Sequence, residues 1–243
     1  MLALWDIDEA TLGRWRELVD SLADDPFVQE RHERNVKRIG IDLSKPQLWR
    51  VMVGCQVTSM QRSGPTSRVS KFLESGSPAL DYDVCCVRKN LEQFLVAELQ
   101  RGSLWRAKPI AKNLSNIQSA LEAGEWRHLT SQLETLARNT TKAKERKVAR
   151  YMQSGKFPGL GPKQARNYIQ WLGLSRYEVP LDSRMLKTLK RLGSNFVPKG
   201  TALGDEVVYL FIQDAVQEIA KRLDVYPCIL DACVFASRDR SDA

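Results

Sequence analysis

Apolar residues recur at helical spacing along almost the whole chain, and no stretch alternates convincingly with period two. Between 8 and 23, Leu12, Trp15, Leu18, Val19 and Leu22 are separated by charged residues, which predicts an amphipathic helix capped by Asp6 or Asp8. Leu48 to Met60 is the most apolar stretch of the first half and predicts a buried helix that runs into a polar loop, with Gln56, Gln61 and Arg62 emerging where the apolar character stops. Segments 87–101, 108–122, 126–138 and 142–154 each carry the same period, with short Gly, Pro, Asn or Thr breaks between them. Later, Leu203 to Leu223 predicts a long helix with Val207, Leu210, Phe211, Ala215 and Ile219 on its buried side, and Pro227 opens a last helix over Cys228 to Ser237. The fold class is therefore all-α, without internal repeats.

One break differs from the rest. Phe157 to Asp182 contains Pro158, Gly159, Gly161 and Pro162, which cannot sit inside a continuous helix, yet both flanks keep helical spacing. Upstream lie Val148, Tyr151 and Met152; downstream lie Ala165, Tyr168, Ile169 and Leu172, until Gly173 supplies a stop. This is a helix-hairpin-helix. Its glycines let backbone approach a ligand closely, and amides at the mouth of the second helix bind anions, for which a DNA phosphate is the natural partner. Arg138, Lys142, Lys144, Arg146, Lys147 and Arg150 form a basic run leading into it. Such a run is usually a solvated face, but beside a phosphate-binding hairpin Lys147 and Arg150 are expected to follow the DNA backbone.

Composition adds less. The 243 residues are 43% hydrophobic, enough for a real core, and 37 Lys and Arg against 29 Asp and Glu give a net charge of +8 that suits a polyanion without requiring one. No apolar run approaches the ~18 residues that span a bilayer. Met1 to Trp15 has no cationic segment followed by an apolar one, so a cytoplasmic protein, nucleoid-associated when engaged on DNA, with no membrane partner is expected. Cys55, Cys85, Cys86, Cys228 and Cys233 fit neither a disulfide framework nor the spacing of an iron-sulfur cluster, and His32 and His128 have no metal-ligating neighbours; no metal and no cofactor are expected.

Lys163 stands in the first turn after the hairpin, and Asp182 follows nineteen positions later behind Val179-Pro180-Leu181. Hairpin, Lys, Val-Pro and Asp in this order resemble the helix-hairpin-helix DNA glycosylases, and most closely the 8-oxoguanine DNA glycosylases, over roughly residues 45–237. The resemblance implies two helical lobes with DNA across the cleft, one from 45–173 and one from 1–44 plus 174–243. It also implies a monomer acting on double-stranded DNA that contains a damaged or modified base. Such an enzyme rotates the nucleotide out of the stack into a pocket. Asp182 would stabilise positive charge on the sugar, and Lys163 would attack the anomeric carbon to form an imine from which the 3′ phosphate is eliminated. The bland reading of Asp182 is a helix cap.

Lys163, Asn167 and Trp171, spaced by four, are expected to line that pocket, although the resembled enzymes usually carry Cys and an aliphatic residue at the last two positions; for Trp171, lobe packing is the alternative. On the last helix Asp231 would read the flipped base, where Gln is more usual. Phe235, one turn on, would stack on it or else belong to the core. Gln56, with Gln61 second, would fill the hole left in the duplex, or else satisfy carbonyls at its own helix end. Gly159, Gly161, Arg62 and Arg184 complete the expected DNA contacts. The reading is a bifunctional glycosylase and lyase for an oxidised purine, 8-oxoguanine first. Its rivals are a glycosylase for another modified base, for example one in foreign DNA, and a non-catalytic DNA-binding module.

Overall fold

Short polar side chains set most helix starts, and the helices they start supply the whole architecture. The computed structural model describes residues 7–61, 63–64, 66–194 and 197–239, and no strand occurs among them. Asp8 accepts from the Thr11 amide at 2.6 Å and opens α1, Glu9–Asp20. Asp25 caps α2, Pro26–Arg31, which continues into a wide helical turn, His32–Val36. Ser44 caps α3, Lys45–Val57; then follow α4, Arg68–Glu74, α5, Tyr82–Cys86, and α6, Leu91–Arg101. The chain goes on through α7, Ala107–Ala120, α8, Trp126–Arg138, α9, Lys142–Met152, and α10, Pro162–Trp171. It ends with α11, Ser183–Arg191, α12, Glu206–Arg222, and α13, Pro227–Asp239.

Two features differ from the periodic reading, the start of α6 and the buried face of α12, each for a local reason. Asn90 caps α6, so the helix starts at Leu91 and leaves Val87 exposed. The break between 122 and 126 falls where the period predicts it, at Gly124 with φ +115°. In α12 the buried stripe is Tyr209, Ile212, Val216, Ile219 and Ala220, while Val207, expected inside, is 77% exposed. Asp205 caps that helix so that its first turn projects past the core, and Glu206 in the same turn reaches Arg166.

Two hydrophobic clusters result. The larger runs from Leu48 to Leu174 and includes fully buried Trp49, Met52, Leu95, Leu99, Leu114 and Ile117. Burial of each aliphatic member stabilises the fold by about 1.5–3 kcal/mol relative to leaving it exposed. The second joins Ile7, Trp15, Leu22 and Val28 to residues between Val179 and Ala236.

Residues 175–178, where the chain passes from one cluster to the other, are held by buried polar groups. The Glu145 carboxylate accepts from the amides of Arg176, Tyr177 and Glu178, each at 2.8 Å, and from the Ser175 and Thr140 hydroxyls. Buried Arg166 donates to Glu178 at 2.8 Å and to Glu206 at 2.9 Å, with its guanidinium 4.2 Å from the Tyr209 ring centroid. Asn35 donates from one amide nitrogen to the carbonyls of Gln170 and Ser175, which ties the N-terminal segment to the end of α10. The Val179–Asp182 segment leaves this junction already oriented.

Candidate nucleic-acid interface and base pocket

Between Met152 and Pro162 the hairpin turns at Gly159, whose φ is +84°. A Cβ there would lie 2.3 Å from Asn113 Nδ2 and 2.6 Å from Gln56 Oε1, so only glycine fits. Gln56 is 1% exposed, donates to the Pro158 carbonyl at 2.7 Å and accepts from Asn113 at 3.3 Å. The expectation that Gln56 enters the duplex is thereby overturned: both ends of its amide brace the hairpin from beneath. Gly161 caps α10 without a side chain and Pro162 occupies the first turn, so no side chain caps the amides at this helix mouth. Gly159, Gly161, Lys163 and Gln164 form one side of an open groove of about 820 Å³; Asp182, Ser183, Arg184 and Lys187 form the other.

Lys163 and Asp182 also line a deeper cleft of about 390 Å³ that continues from the groove. Lys163 is half-buried and makes no hydrogen bond or ion pair among the described residues. Asp182 caps α11, accepting from the amides of Arg184 at 2.8 Å and Met185 at 3.1 Å. Its other oxygen meets the Arg184 guanidinium at 2.8 Å. Capping and cleft placement therefore coexist in one carboxylate.

Asn167 and Trp171 line the same cleft one and two turns after Lys163. Asn167 donates to Gln164 at 2.6 Å, and Trp171 also packs on the larger cluster, where the missing side chain of Gly54 makes room: a Cβ would come within 2.7 Å of its ring. Asp231 and Phe235 enter from α13. Asp231 meets Arg31 at 3.4 Å and accepts from Gln170 at 3.2 Å. Burial pushes its carboxyl up to about 6, Arg31 opposes that rise, and Asp182 adds to it. Phe235 already has neighbours on its ring: Phe27 stacks at 4.6 Å, and the Arg184 guanidinium lies 4.0 Å from the centroid. A base could stack there only after one of them moves.

The remaining expected contacts fall into three groups. Gln61 spends its side chain on the Val57 carbonyl and the Trp105 amide, each at 2.8 Å, and so ties two loops together rather than projecting freely. Arg62 lies outside the described residues. Lys147 and Arg150 are exposed on α9, outside the residues lining either cavity. The rest of the basic run is partly consumed internally, since Lys142 and Arg146 both pair with Asp214 at 3.0 Å.

No family model matches the chain. No curated protein matches it in sequence. Solved structures do. The 8-oxoguanine DNA glycosylase of Thermotoga maritima superposes with a TM-score of 0.66 at 17% identity, covering 92% of this chain and 95% of that one. The 8-oxoguanine DNA glycosylase of Methanocaldococcus jannaschii gives 0.66 at 14% identity, with 93% and 92% covered. The glycosylase/lyase of that organism, in complex with a 15mer DNA containing 8-oxoguanine, gives 0.67 at 13%, with 93% and 97% covered. The chain has the 8-oxoguanine DNA glycosylase fold.

On this glycosylase fold the cleft collects residues that periodicity alone did not single out. Phe27, Arg31 and Arg34 arrive from α2 and the turn after it, and Arg50 from α3. Met60, at φ +58°, and Trp105 are 73% and 66% exposed on the two loops that Gln61 joins. The available signal was their hydrophobicity inside otherwise polar breaks.

Proposed function

We propose that the chain is a DNA glycosylase with AP lyase activity, directed at an oxidised purine and at 8-oxoguanine first. The observation that carries this reading is the convergence of Lys163 and Asp182 on one cleft beside the uncapped amides at the mouth of α10. The groove is lined by Lys163, Arg184 and Lys187 against a single carboxylate among the described residues, Asp182, and by several glycines, which suits phosphates read without regard to sequence. Gly159, Gly161 and Lys187 lie in it; Lys147 and Arg150 would extend it along α9.

The chemistry follows from the placement. A base rotated into the inner cleft brings its C1′ towards Lys163. The Lys163 free amine forms a bond to C1′ as the C1′–N9 bond breaks, and the base leaves with the bonding pair and takes up a proton. Asp182 stabilises the positive charge that builds on the sugar meanwhile. Ring opening gives an imine; loss of a C2′ proton then expels the 3′ phosphate, and hydrolysis returns the amine. Arg184 must exchange Asp182 and the Phe235 ring for a DNA phosphate before either can act. Met60 and Trp105, exposed and apolar beside the groove, are better suited than Gln56 to filling the hole in the duplex.

A second reading, a glycosylase for another modified base on the same scaffold, is favoured by Trp171 and by the Asn167–Gln164 bond in the cleft wall. The deciding experiment incubates the protein with duplexes carrying 8-oxoguanine, hypoxanthine, uracil or a modified cytosine, with borohydride present. Strand cleavage and a covalent adduct on 8-oxoguanine are expected. Strong activity on a modified cytosine with none on 8-oxoguanine overturns the substrate assignment, and no cleavage of any duplex overturns the activity.

A further inference from the structure

The inner cleft ends on an ion pair built from two distant segments. Arg31 Nη1 on α2 meets Asp231 Oδ2 on α13 at 3.4 Å, and their side chains are only 11% and 14% exposed. Gln170 fixes the same oxygen from α10 at 3.2 Å. Asp231 Oδ1 takes no hydrogen bond from the described residues and is not among the sealed-off polar atoms, so it stays reachable from the cleft. The other two guanidinium nitrogens of Arg31 are in the same state. The pair thus presents donors on one side and acceptors on the other, at the wall where Phe27 and Phe235 supply apolar surface.

We propose that Arg31 and Asp231 together read the Watson-Crick edge of a guanine-type base, with Arg31 donating to O6 while Asp231 accepts from N1–H and N2–H. The proposal rests on the glycosylase reading and narrows its substrate class. Donor, acceptor, acceptor is the order in which cytosine pairs with guanine, so the protein would supply cytosine's pattern with two side chains. Adenine offers an amino donor to Arg31 and a ring lone pair to Asp231, and both contacts fail. Uracil and thymine keep the carbonyl and the N–H but turn a second carbonyl towards the carboxylate. Hypoxanthine keeps two contacts of three. A carboxylate alone would not register O6 at all; Arg31 makes that position part of the selection.

The test measures ligand-observed NMR binding of the 2′-deoxynucleosides of 8-oxoguanine, 8-oxohypoxanthine, 6-thio-8-oxoguanine and 8-oxoadenine, together with single-turnover excision of the same bases from duplexes. Sulfur at position 6 keeps N1–H and N2–H but is a poor acceptor, so the oxygen-to-sulfur ratio isolates Arg31. Wild type should favour oxygen by on the order of 10-fold or more, in the range of single polar contacts at a recognition site. Arg31→Met should bring the ratio near one, and Arg31→Gln, which keeps an N–H donor without the charge, should restore part of it. Equal losses on all four bases in Arg31→Met, or an unchanged ratio, would overturn the proposal even if 8-oxoguanine is excised. Selective nucleoside binding without excision would leave it standing and sink the catalytic reading instead.

Discussion

Glu145→Ala is the substitution for which the structure sets the largest expected loss outside the cleft. Glu145 is fully buried on α9, and its two oxygens accept three backbone amides and two hydroxyls. Alanine would leave the amides of Arg176, Tyr177 and Glu178 without their acceptor, at about 1–3 kcal/mol for each group left unpaired. Part of that loss is offset, because burial pushes the Glu145 carboxyl above the usual carboxylate range and disfavours its charge. A net loss of about 3–6 kcal/mol remains. For a chain of this size that corresponds to a fall in Tm on the order of 10 °C or more. Thermal unfolding by circular dichroism gives the number directly, with Glu145→Gln, which keeps one acceptor, falling less. Because the bridged turn leads straight into Val179–Asp182, single-turnover excision by Glu145→Ala should fall by more than DNA affinity does. A Tm within about 2 °C of wild type would refute the reasoning, since it would mean those amides find other partners at little cost.

Four further outcomes are expected. Lys163→Gln should give no borohydride-trapped adduct, as measured by denaturing gel electrophoresis with labelled duplex; a robust adduct would move the nucleophile elsewhere. Asp182→Asn should slow single-turnover excision by orders of magnitude while duplex affinity stays similar or tightens, because a carboxylate beside DNA gains its value as sugar charge develops. Met60→Ala and Trp105→Ala together should weaken binding to an abasic-site duplex far more than to an intact one, by fluorescence anisotropy, whereas equal losses would make them general contacts. For Asp231, whose carboxyl is raised from 3.8 to about 6, the folded state binds the proton more tightly than the unfolded chain. Its contribution is therefore complete below 3.8 and lost as pH rises through about 6, a swing of about 3 kcal/mol. Arg31, Gln170, Asp182 and Arg184 all bear on this group. The Tm of Asp231→Asn relative to wild type should accordingly be higher at pH 8 than at pH 5, and a pH-independent difference would contradict the assignment.

How much of this was legible in sequence depended on the range of the interaction. Some helix starts were readable because a cap such as Asp8 acts within three residues, whereas the apolar period continues back across the Asn90 cap to 87 and hides that start. The hairpin was readable because Gly159 admits a positive φ and Pro162 fixes its own φ whatever surrounds them. The buried face of α12 was misjudged because Val207 and Val208 continue an apolar pattern that the projecting first turn leaves outside, and only the tertiary position of Arg166 explains why the chain places Glu206 there. Glu145 and Arg166 were hidden for the same reason. Glu145, within a run of Lys and Arg, and Arg166 both look solvated until distant partners close around them: the Glu178 amide lies 33 positions from Glu145, and Glu206 lies 40 from Arg166.

The site divides along the same line. Lys163, Asn167 and Trp171 share a helix face, so their common cleft follows from spacing by four on α10. Gln56 was assigned to DNA because a polar residue at the end of an apolar helix has two possible destinations, water or a buried backbone carbonyl, and sequence carries no information about where Pro158 will lie. The Arg31–Asp231 pair is the extreme case, its members standing 200 positions apart. Asp231 is expected to read the base on the resemblance alone, whereas Arg31, at a polar helix end, gives no sign in the sequence of sharing that site. Their meaning arises from proximity, because an aspartate that cannot donate becomes complementary to a guanine edge once an arginine supplies the missing donor. A departure from Gln at position 231 is then no defect in the pocket. On the proposed reading Arg31 supplies the donor that a Gln amide would carry, and a substitution at either position should be repaired best by one at the other. Asp231→Gln combined with Arg31→Met should therefore recover more 8-oxoguanine binding than the product of the two single losses allows, a coupling that a double-mutant cycle measures directly.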